Sequence, residues 1–312
     1  MIRVFDDSAW QQTVDLIAYK ECTPFIGAGA SAEHLPVAAR LAAGLAAEYG
    51  FPFDNDRDLA RVTQFAAVRA GNRQYIKQRL AHRMFTNVSP PDYREPDEPH
   101  ALLADLRLPV YITTNYDDFM FEALEDRGRA PLRAICPWYT TDREEVKEAT
   151  KLFGEDGGGY KPDSNRPIIY HLHGHHGTPE SLVLTEDDYI EFLLRLSEDH
   201  ELLPPIIQRS LTTKMLLFVG YSLEDWTFRV IFRGLLSKRP TLATHSHVSV
   251  QIPPPAENPE DERQIRVQEY LDRYLERQNI SICWETARAF SAELRRRWET
   301  RSLPGHPALS HG

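Results

Sequence analysis

An α/β fold on a doubly wound, mostly parallel sheet is predicted from three observations. Short apolar runs of strand length recur between stretches whose apolar residues have helical spacing, the alternation expected when helices cover both faces of a parallel sheet. Four of these runs, Cys22–Ile26, 110–112, 167–170 and Met215–Val219, lead directly into a glycine-rich or polar stretch. In an open parallel sheet the carboxyl ends of the strands share one edge, and ligands bind there. Polar residues far apart in sequence are thereby gathered into one crevice.

The elements follow in order. Residues 8–20 have the pattern of a helix, with Asp7 or Ser8 as N-cap. After the first strand and its Gly-rich turn, Val37, Leu41, Leu45 and Tyr49 mark one helical face. Two helices within 57–86 break near Gly71 and Asn72, and four prolines make 89–99 a loop. Residues 117–126 read as a helix, 132–136 as a short strand, and 154–167 as a loop, either a surface connection, which is favoured, or a lid over the crevice. A short strand at 181–184 precedes helices over 186–196 and 202–212. The segment 224–236 is apolar on nearly every face, which fits a helix sandwiched in the core or shared with a second copy of the chain. A strand over 247–252, a charged helix over 260–277, the strand Ile280–Trp284 and a helix over 288–299 complete the pattern. We read one domain over 1–300, with a small helical satellite module within about 57–86 and 186–212, and a tail over 301–312.

Composition narrows the function. Thirty-six Lys and Arg against 46 Asp and Glu give a formal charge of −10, a field that repels nucleic acid, so no direct nucleic-acid binding is expected. Arg295-Arg296-Arg297 reads as the solvated face of a late helix. The first ten residues lack the basic start and apolar run of a signal peptide, and no apolar stretch approaches the roughly 18 residues of a membrane span. A cytoplasmic protein is expected. Cys22, Cys136 and Cys283 form no C-x-x-C pair, which gives no local zinc site and no disulfide framework.

Gly27-Ala28-Gly29-Ala30-Ser31-Ala32 fits the dinucleotide fingerprint of Rossmann-like folds. Gly27 would make the turn, Gly29 would admit a pyrophosphate, and a following helix N-terminus would face the anion. A plain small-residue turn has the same pattern. The second stretch is Thr113-Thr114-Asn115-Tyr116-Asp117, where Asp117 also suits a helix cap. The third, His171-Leu172-His173-Gly174-His175-His176, fits a core histidine at His171 or, less well, a metal site. The fourth is Gly220-Tyr221-Ser222-Leu223, in which Ser222 suits either a phosphate or an N-cap.

As an ordered set on strand ends, these stretches resemble the Gly-Ala-Gly-x-Ser, Thr-Gln-Asn-x-Asp, His-Gly and Gly-x-Ser-Leu motifs of the sirtuin family of NAD-consuming enzymes, over residues 22 to about 223. The resemblance implies that NAD is bound by Gly27, Ala28, Gly29, Ser31, Thr114, Asn115, Asp117, Gly174, Gly220 and Ser222. It further implies catalysis by His173 as general base, titrating near neutrality, and by Asn115, which would hold an attacking water or a ribose hydroxyl. Three departures stand out. Thr114 replaces the family's Gln, the Phe-Arg pair after the first loop is missing, and 174–220 contains no cysteine where deacylating sirtuins carry a four-cysteine zinc module. The chain is most similar to the divergent bacterial branch that hydrolyses NAD to nicotinamide and ADP-ribose in antiphage, abortive-infection defence. That implies NAD as substrate, no zinc, and a regulatory partner such as a HerA-like ATPase, while the apolar segment 224–236 points to a homo-oligomer. The competing expectations are an NAD-dependent protein deacylase and a non-catalytic NAD or ADP-ribose sensor.

Overall fold

The structure, a computed structural model, describes residues 5–36, 38–153, 159–199, 202–221, 246–253 and 262–301. Ser222, the apolar segment 224–236 and most of the expected tail lie outside the described residues. Seven strands form one sheet: β1 (Cys22–Ile26), β2 (Val110–Thr113), β3 (Leu132–Ile135), β4 (Ile168–His171), β5 (Met215–Val219), β6 (His247–Gln251) and β7 (Ile280–Trp284). Their order is β3-β4-β2-β1-β5-β6-β7, and every pairing is parallel. The chain starts in the middle, winds to one side and returns to the other, which puts a switch point at β1. Register does the rest. Ile26 lies opposite Thr113 on one side and Val219 on the other, and Thr113 lies opposite His171. The four motif stretches therefore leave the sheet at one level.

Pro24 sits inside this central strand, where proline is rare. The Gly27 N–H donates to Val219 O on β5, and Ile26 O accepts from Thr114 beside β2. Alternation then points the missing Pro24 N–H at β2, and the β1–β2 ladder pairs only Phe25 with Ile112 and Ile26 with Thr113.

Helices cover both faces. On one face Phe25, Ile112, Tyr170, Phe218 and Ile282 meet Phe192 of α8 (Glu186–Glu198), Ile207 and Leu211 of α9 (Pro205–Thr213) and Leu271 of α10 (Glu262–Glu276). On the other, Tyr111, Ile169, Leu217 and Val250 meet Ile17 of α1 (Asp7–Ala18), Leu102 of α5 (Pro99–Asp105), Leu124 of α6 (Phe119–Asp126) and Leu294 of α11 (Ala287–Thr300). Each buried Leu, Ile or Phe contributes about 1.5–3 kcal/mol. A separate cluster joins α2 (Ala38–Tyr49), α3 (Leu59–Ala70) and α4 (Arg73–Phe85) over Leu182 and Leu184. Helix α9, expected in the satellite module, packs on the sheet instead, and α2 takes its place in the cluster. Among the described residues no helix is long and apolar enough to cross a membrane.

Several local expectations change. Asp6, rather than Asp7 or Ser8, caps α1 by accepting the Ala9 N–H at 2.8 Å. The expected strand at 181–184 is a 3₁₀ turn (Pro179–Ser181) followed by an extended stretch whose Val183 N–H donates to His173 O at 3.0 Å. Leu182 and Leu184 face the α2–α4 cluster while Val183 faces the sheet core, so strand-like alternation arises without a ladder. Two further helices are present. Helix α5 begins at the last proline of the expected loop, with Glu98 as N-cap, and α7 (Arg143–Lys151) buries only Val146. The described part of the 154–167 connection bonds Arg107 and Ala130, which precede β2 and β3. It lies at the edge opposite the motif stretches and is a surface connection.

A buried ion pair ties the α2–α4 cluster to the sheet. Lys77 Nζ lies 2.8 Å from Asp188 Oδ1 with both side chains enclosed. Asp188 also closes a capping box with Thr185 at the start of α8. Burial pulls the Lys77 ammonium below its ordinary range, and Asp188 restores part of that loss. Asp188→Ala leaves a buried charge unpaired and should cost about 3–5 kcal/mol in urea unfolding. The double change Lys77→Met with Asp188→Leu should be much milder, because it removes both charges together.

Candidate active site

Two loops meet at the switch point through their backbones. The Gly29 N–H donates to Gly220 O at 2.8 Å, and a Cβ on Gly27 or Gly29 would fall within 2.9 Å of Gly220 O. Gly220 has φ +80°, and a side chain there would lie 2.2 Å from Ala30 N. The glycines are thus required by loop-to-loop contact. The expected helix N-terminus is also displaced: Ala28–Ala30 forms a 3₁₀ turn, and α2 starts only at Ala38. Ala28 and Gly29 stay exposed at the mouth. Tyr221 lies across it, its Oη 2.5 Å from Thr114 Oγ1 and its ring edge-on to Phe25. Sequence reading gave Tyr221 no role; an aromatic between Gly220 and Ser222 was the available signal.

Asn115, Ser31 and Asp117 form one buried chain. Asn115 Nδ2 donates to Gly27 O at 3.2 Å and to Ser31 Oγ at 3.1 Å, and Ser31 Oγ donates to Asp117 Oδ2 at 3.0 Å. Asp117 Oδ1 accepts from the Phe119 N–H at 3.1 Å. Gly27 O can only accept, so the amide nitrogen must face it. The carbonyl oxygen of Asn115 is thereby the end of the amide left for a ligand. Ser31 is enclosed and bridges Asn115 to Asp117. Burial raises the Asp117 carboxyl above its usual range, against the opposing charge of His100 and the bonds from Phe119 and Ser31.

His173 follows the end of β4 and is 6% exposed. Its ring stands edge-on to Phe192 at 5.0 Å and Tyr189 at 5.8 Å, and Nε2 has no hydrogen-bond partner. Burial pushes its pKa down to about 3, which corrects the expectation of titration near neutrality. The imidazole is neutral, weakly basic and unsatisfied. Gly174, with φ +91°, turns so tightly that a Cβ would lie 2.1 Å from Ser181 O. His171 is the core histidine: its Nδ1 donates to Asn115 O at 3.1 Å, and burial together with His175 pushes its pKa to about 3.

His175, His176 and Asp118 also converge, with ligand-type atoms within 4.8 Å of one another. The sequence gave no acidic partner for these histidines because Asp118 arrives from β2. The protons decide what this cluster is. His175 Nδ1 accepts the Gly177 N–H at 3.1 Å, so Nε2 carries the proton and donates to Asp118 Oδ1 at 3.0 Å. His176 Nε2 lies 3.1 Å from Asp118 Oδ2, and Arg133 pairs with the same carboxylate. Burial opposes the Asp118 charge, yet bonds from His175 and His176 and the Arg133 guanidinium hold it far below the usual carboxylate range. The cluster is a clamp between the β2 and β4 loops, with its donors already engaged.

A family model described as "SIR2-like domain" matches residues 109–283. Among curated proteins, "NAD(+) hydrolase ThsA" of Acinetobacter baumannii (strain 532279) is 27% identical over 202 residues, which cover 64% of this chain and 36% of that protein. The protein of the same name from Bacillus cereus (strain MSX-D12) is 28% identical over 206 residues, covering 64% and 37%. The chain spans about a third of the length of the curated relatives it matches. A solved structure described as "Structural Basis for the Mechanism and Regulation of Sir2 Enzymes" covers 94% of this chain and 98% of its own at 13% identity, with a TM-score of 0.39, too low to carry weight.

A histidine kept neutral by burial makes stability depend on pH with a definite sign. Its folded pKa lies below the unfolded value near 6.5, so the unfolded chain binds protons first and stability falls as pH drops toward 3. Between pH 6.5 and 5, one such imidazole should cost about 2 kcal/mol. His173→Phe should therefore gain stability relative to the unsubstituted protein at pH 5 and much less at pH 8, measured by thermal melts at both values.

Proposed function

Because the chain belongs to the SIR2-like domain family, we propose that its crevice cleaves the nicotinamide–ribose bond of NAD, giving nicotinamide and ADP-ribose. The observation that carries this reading is the fixed amide of Asn115. Its nitrogen is held by Gly27 O and Ser31 Oγ, and its free oxygen stands at a strand end in register with β4, which leads into His173. The names of the curated relatives support the same activity.

The chemistry asks little of the protein. Nicotinamide leaves a cationic pyridinium as a neutral molecule, so no acid is needed, and the sugar passes through an oxocarbenium-like state as in glycoside hydrolysis. The Asn115 oxygen accepts a hydrogen bond from the attacking water or a ribose hydroxyl and orients it. The neutral His173, with an unpartnered nitrogen, offers an acceptor to the neighbouring hydroxyl. Asp117 places a negative charge beneath the developing cation. Thr114 and Tyr221 border the nicotinamide side, where the family's Gln is replaced. Gly27, Ala28, Gly29, Gly174, Gly220 and Ser222 are proposed to contact the rest of NAD, with the exposed Ala28 and Gly29 toward the phosphates.

On the motif resemblance we further propose that the chain depletes NAD in bacterial antiphage defence, in the cytoplasm, as a homo-oligomer regulated by a second protein such as a HerA-like ATPase. Light scattering tests the oligomer; a monomer at working concentration would remove it.

His173→Ala and Asn115→Ala should each lower NAD cleavage by roughly 10²–10⁴ while far-UV circular dichroism stays unchanged. His171→Ala should act chiefly on stability, because its ring supports the Asn115 backbone. Turnover should survive a strong chelator and need no acylated peptide. Full activity in His173→Ala, or a loss on chelation restored by zinc, would overturn these assignments.

A further inference from the structure

The chain of bonds that fixes Asn115 ends on Asp117, and behind Asp117 lies an ion pair with no assigned task. Glu98 and His100 are 1% and 0% exposed. His100 Nδ1 donates to Glu98 Oε1 at 2.7 Å, while Glu98 Oε2 accepts the Ala101 N–H at 2.5 Å and so caps α5. Phe119 joins the pair to the site. Its N–H bonds Asp117 Oδ1 at 3.1 Å, and its ring stands edge-on to the His100 ring at 5.8 Å. His100 Nε2 has no hydrogen-bond partner.

A buried ion pair is a poor way to add stability, since apolar residues of equal volume often do as well. Its placement beside a second buried carboxylate suggests another use. We propose that Glu98 and His100 are positioning residues for the proposed reaction: the His100 imidazolium, held by Glu98, keeps Asp117 ionised, so that Asp117 accepts from Ser31 and Ser31 in turn accepts from Asn115. A protonated Asp117 would donate to Ser31 Oγ. The Ser31 proton would then lose its acceptor and turn toward the Asn115 N–H, and Gly27 O alone would be left to hold the amide.

The charges around the site support this arrangement. Burial disfavours the His100 cation, yet the bond and charge of Glu98, with Asp117 and Glu122, raise it above its ordinary range. Burial also opposes the Glu98 anion, and His100 outweighs it. Among the described residues, the opposing charge on Asp117 comes from His100 of α5, while Asp118 of its own loop adds a like charge. Glu122 of α6 accepts from Tyr93 Oη at 2.9 Å and adds negative charge on the same flank.

The proposal rests on the NAD-cleavage reading, so the test reads it separately from turnover. Carbon-13 NMR of the unliganded full chain would follow the Asp117 carboxyl and the His100 ring through a pH titration. His100 should titrate above 6.5, and His100→Gln should raise the pH at which Asp117 titrates by about one unit or more. Glu98→Gln should shift Asp117 the same way by less. In NAD-cleavage assays the acid limb of kcat/KM should rise with Asp117, and in an Asp117→Asn background His100→Gln should add no further loss. A His100 that titrates at or below 6.5 in the unsubstituted protein would overturn the proposal without any variant having to fold. So would an Asp117 titration unmoved by His100→Gln. Failure of the unsubstituted chain to cleave NAD, with the coupling intact, would remove the reaction and leave the ion-pair coupling standing.

Discussion

The loop after β1 touches the loop after β5 backbone to backbone, and the rest of the site depends on that contact. Parallel register brings Ile26 and Val219 level, so the chain leaves both strands at the same height. Two bulky turns could not share that space, and Gly27, Gly29 and Gly220 make the shared space wide enough. The contact holds Gly27 O in place, and Gly27 O in turn sets which end of the Asn115 amide faces inward. A restriction imposed by sheet geometry thus becomes the orientation of one amide, three strands' worth of sequence away.

Around that amide the structure divides its polar groups into two kinds. Ser31, His175 and Asp118 have their bonding committed to the protein and act as supports. His173 Nε2, His171 Nε2 and His100 Nε2 are enclosed without partners, and of the three His173 stands at the crevice beside Asn115. In an apolar enclosure such groups bind a fitting hydroxyl strongly, because nothing else satisfies them. The Phe192 and Tyr189 rings that depress the His173 basicity therefore also sharpen its use as an acceptor.

Much of this was legible in the sequence, and what escaped has physical causes. Strand ends were readable because apolar runs stop abruptly at Gly27, Thr114 and Gly220. The α3–α4 break was readable because Gly71 and Asn72 are a left-handed C-cap and an N-cap. Helix α5 is hidden behind the proline-rich 89–99, although Glu98-Pro99 has the pattern of an N-cap and first helical residue. Helix α7 exposes nearly all its side chains, so no apolar period marks it. Asn115 and His173 were placed correctly on strand ends, but their surroundings were not foreseen. That Ser31 bonds Asp117, and that Phe192 of α8 encloses His173, depends on contacts between elements dozens of residues apart. Asp118 reaches the His175–His176 pair in the same way.

Where the ribose lies decides whether Asn115 and His173 act on it. A crystal structure of the full chain with ADP-ribose and nicotinamide measures this directly, and it does so whether or not a partner gates turnover. The account predicts that the anomeric carbon sits beside Asn115 Oδ1 with a ribose hydroxyl on His173, while the Asn115–Ser31–Asp117 chain stays intact. A nucleotide bound elsewhere, or one that breaks that chain to take Ser31 for a phosphate, would contradict it.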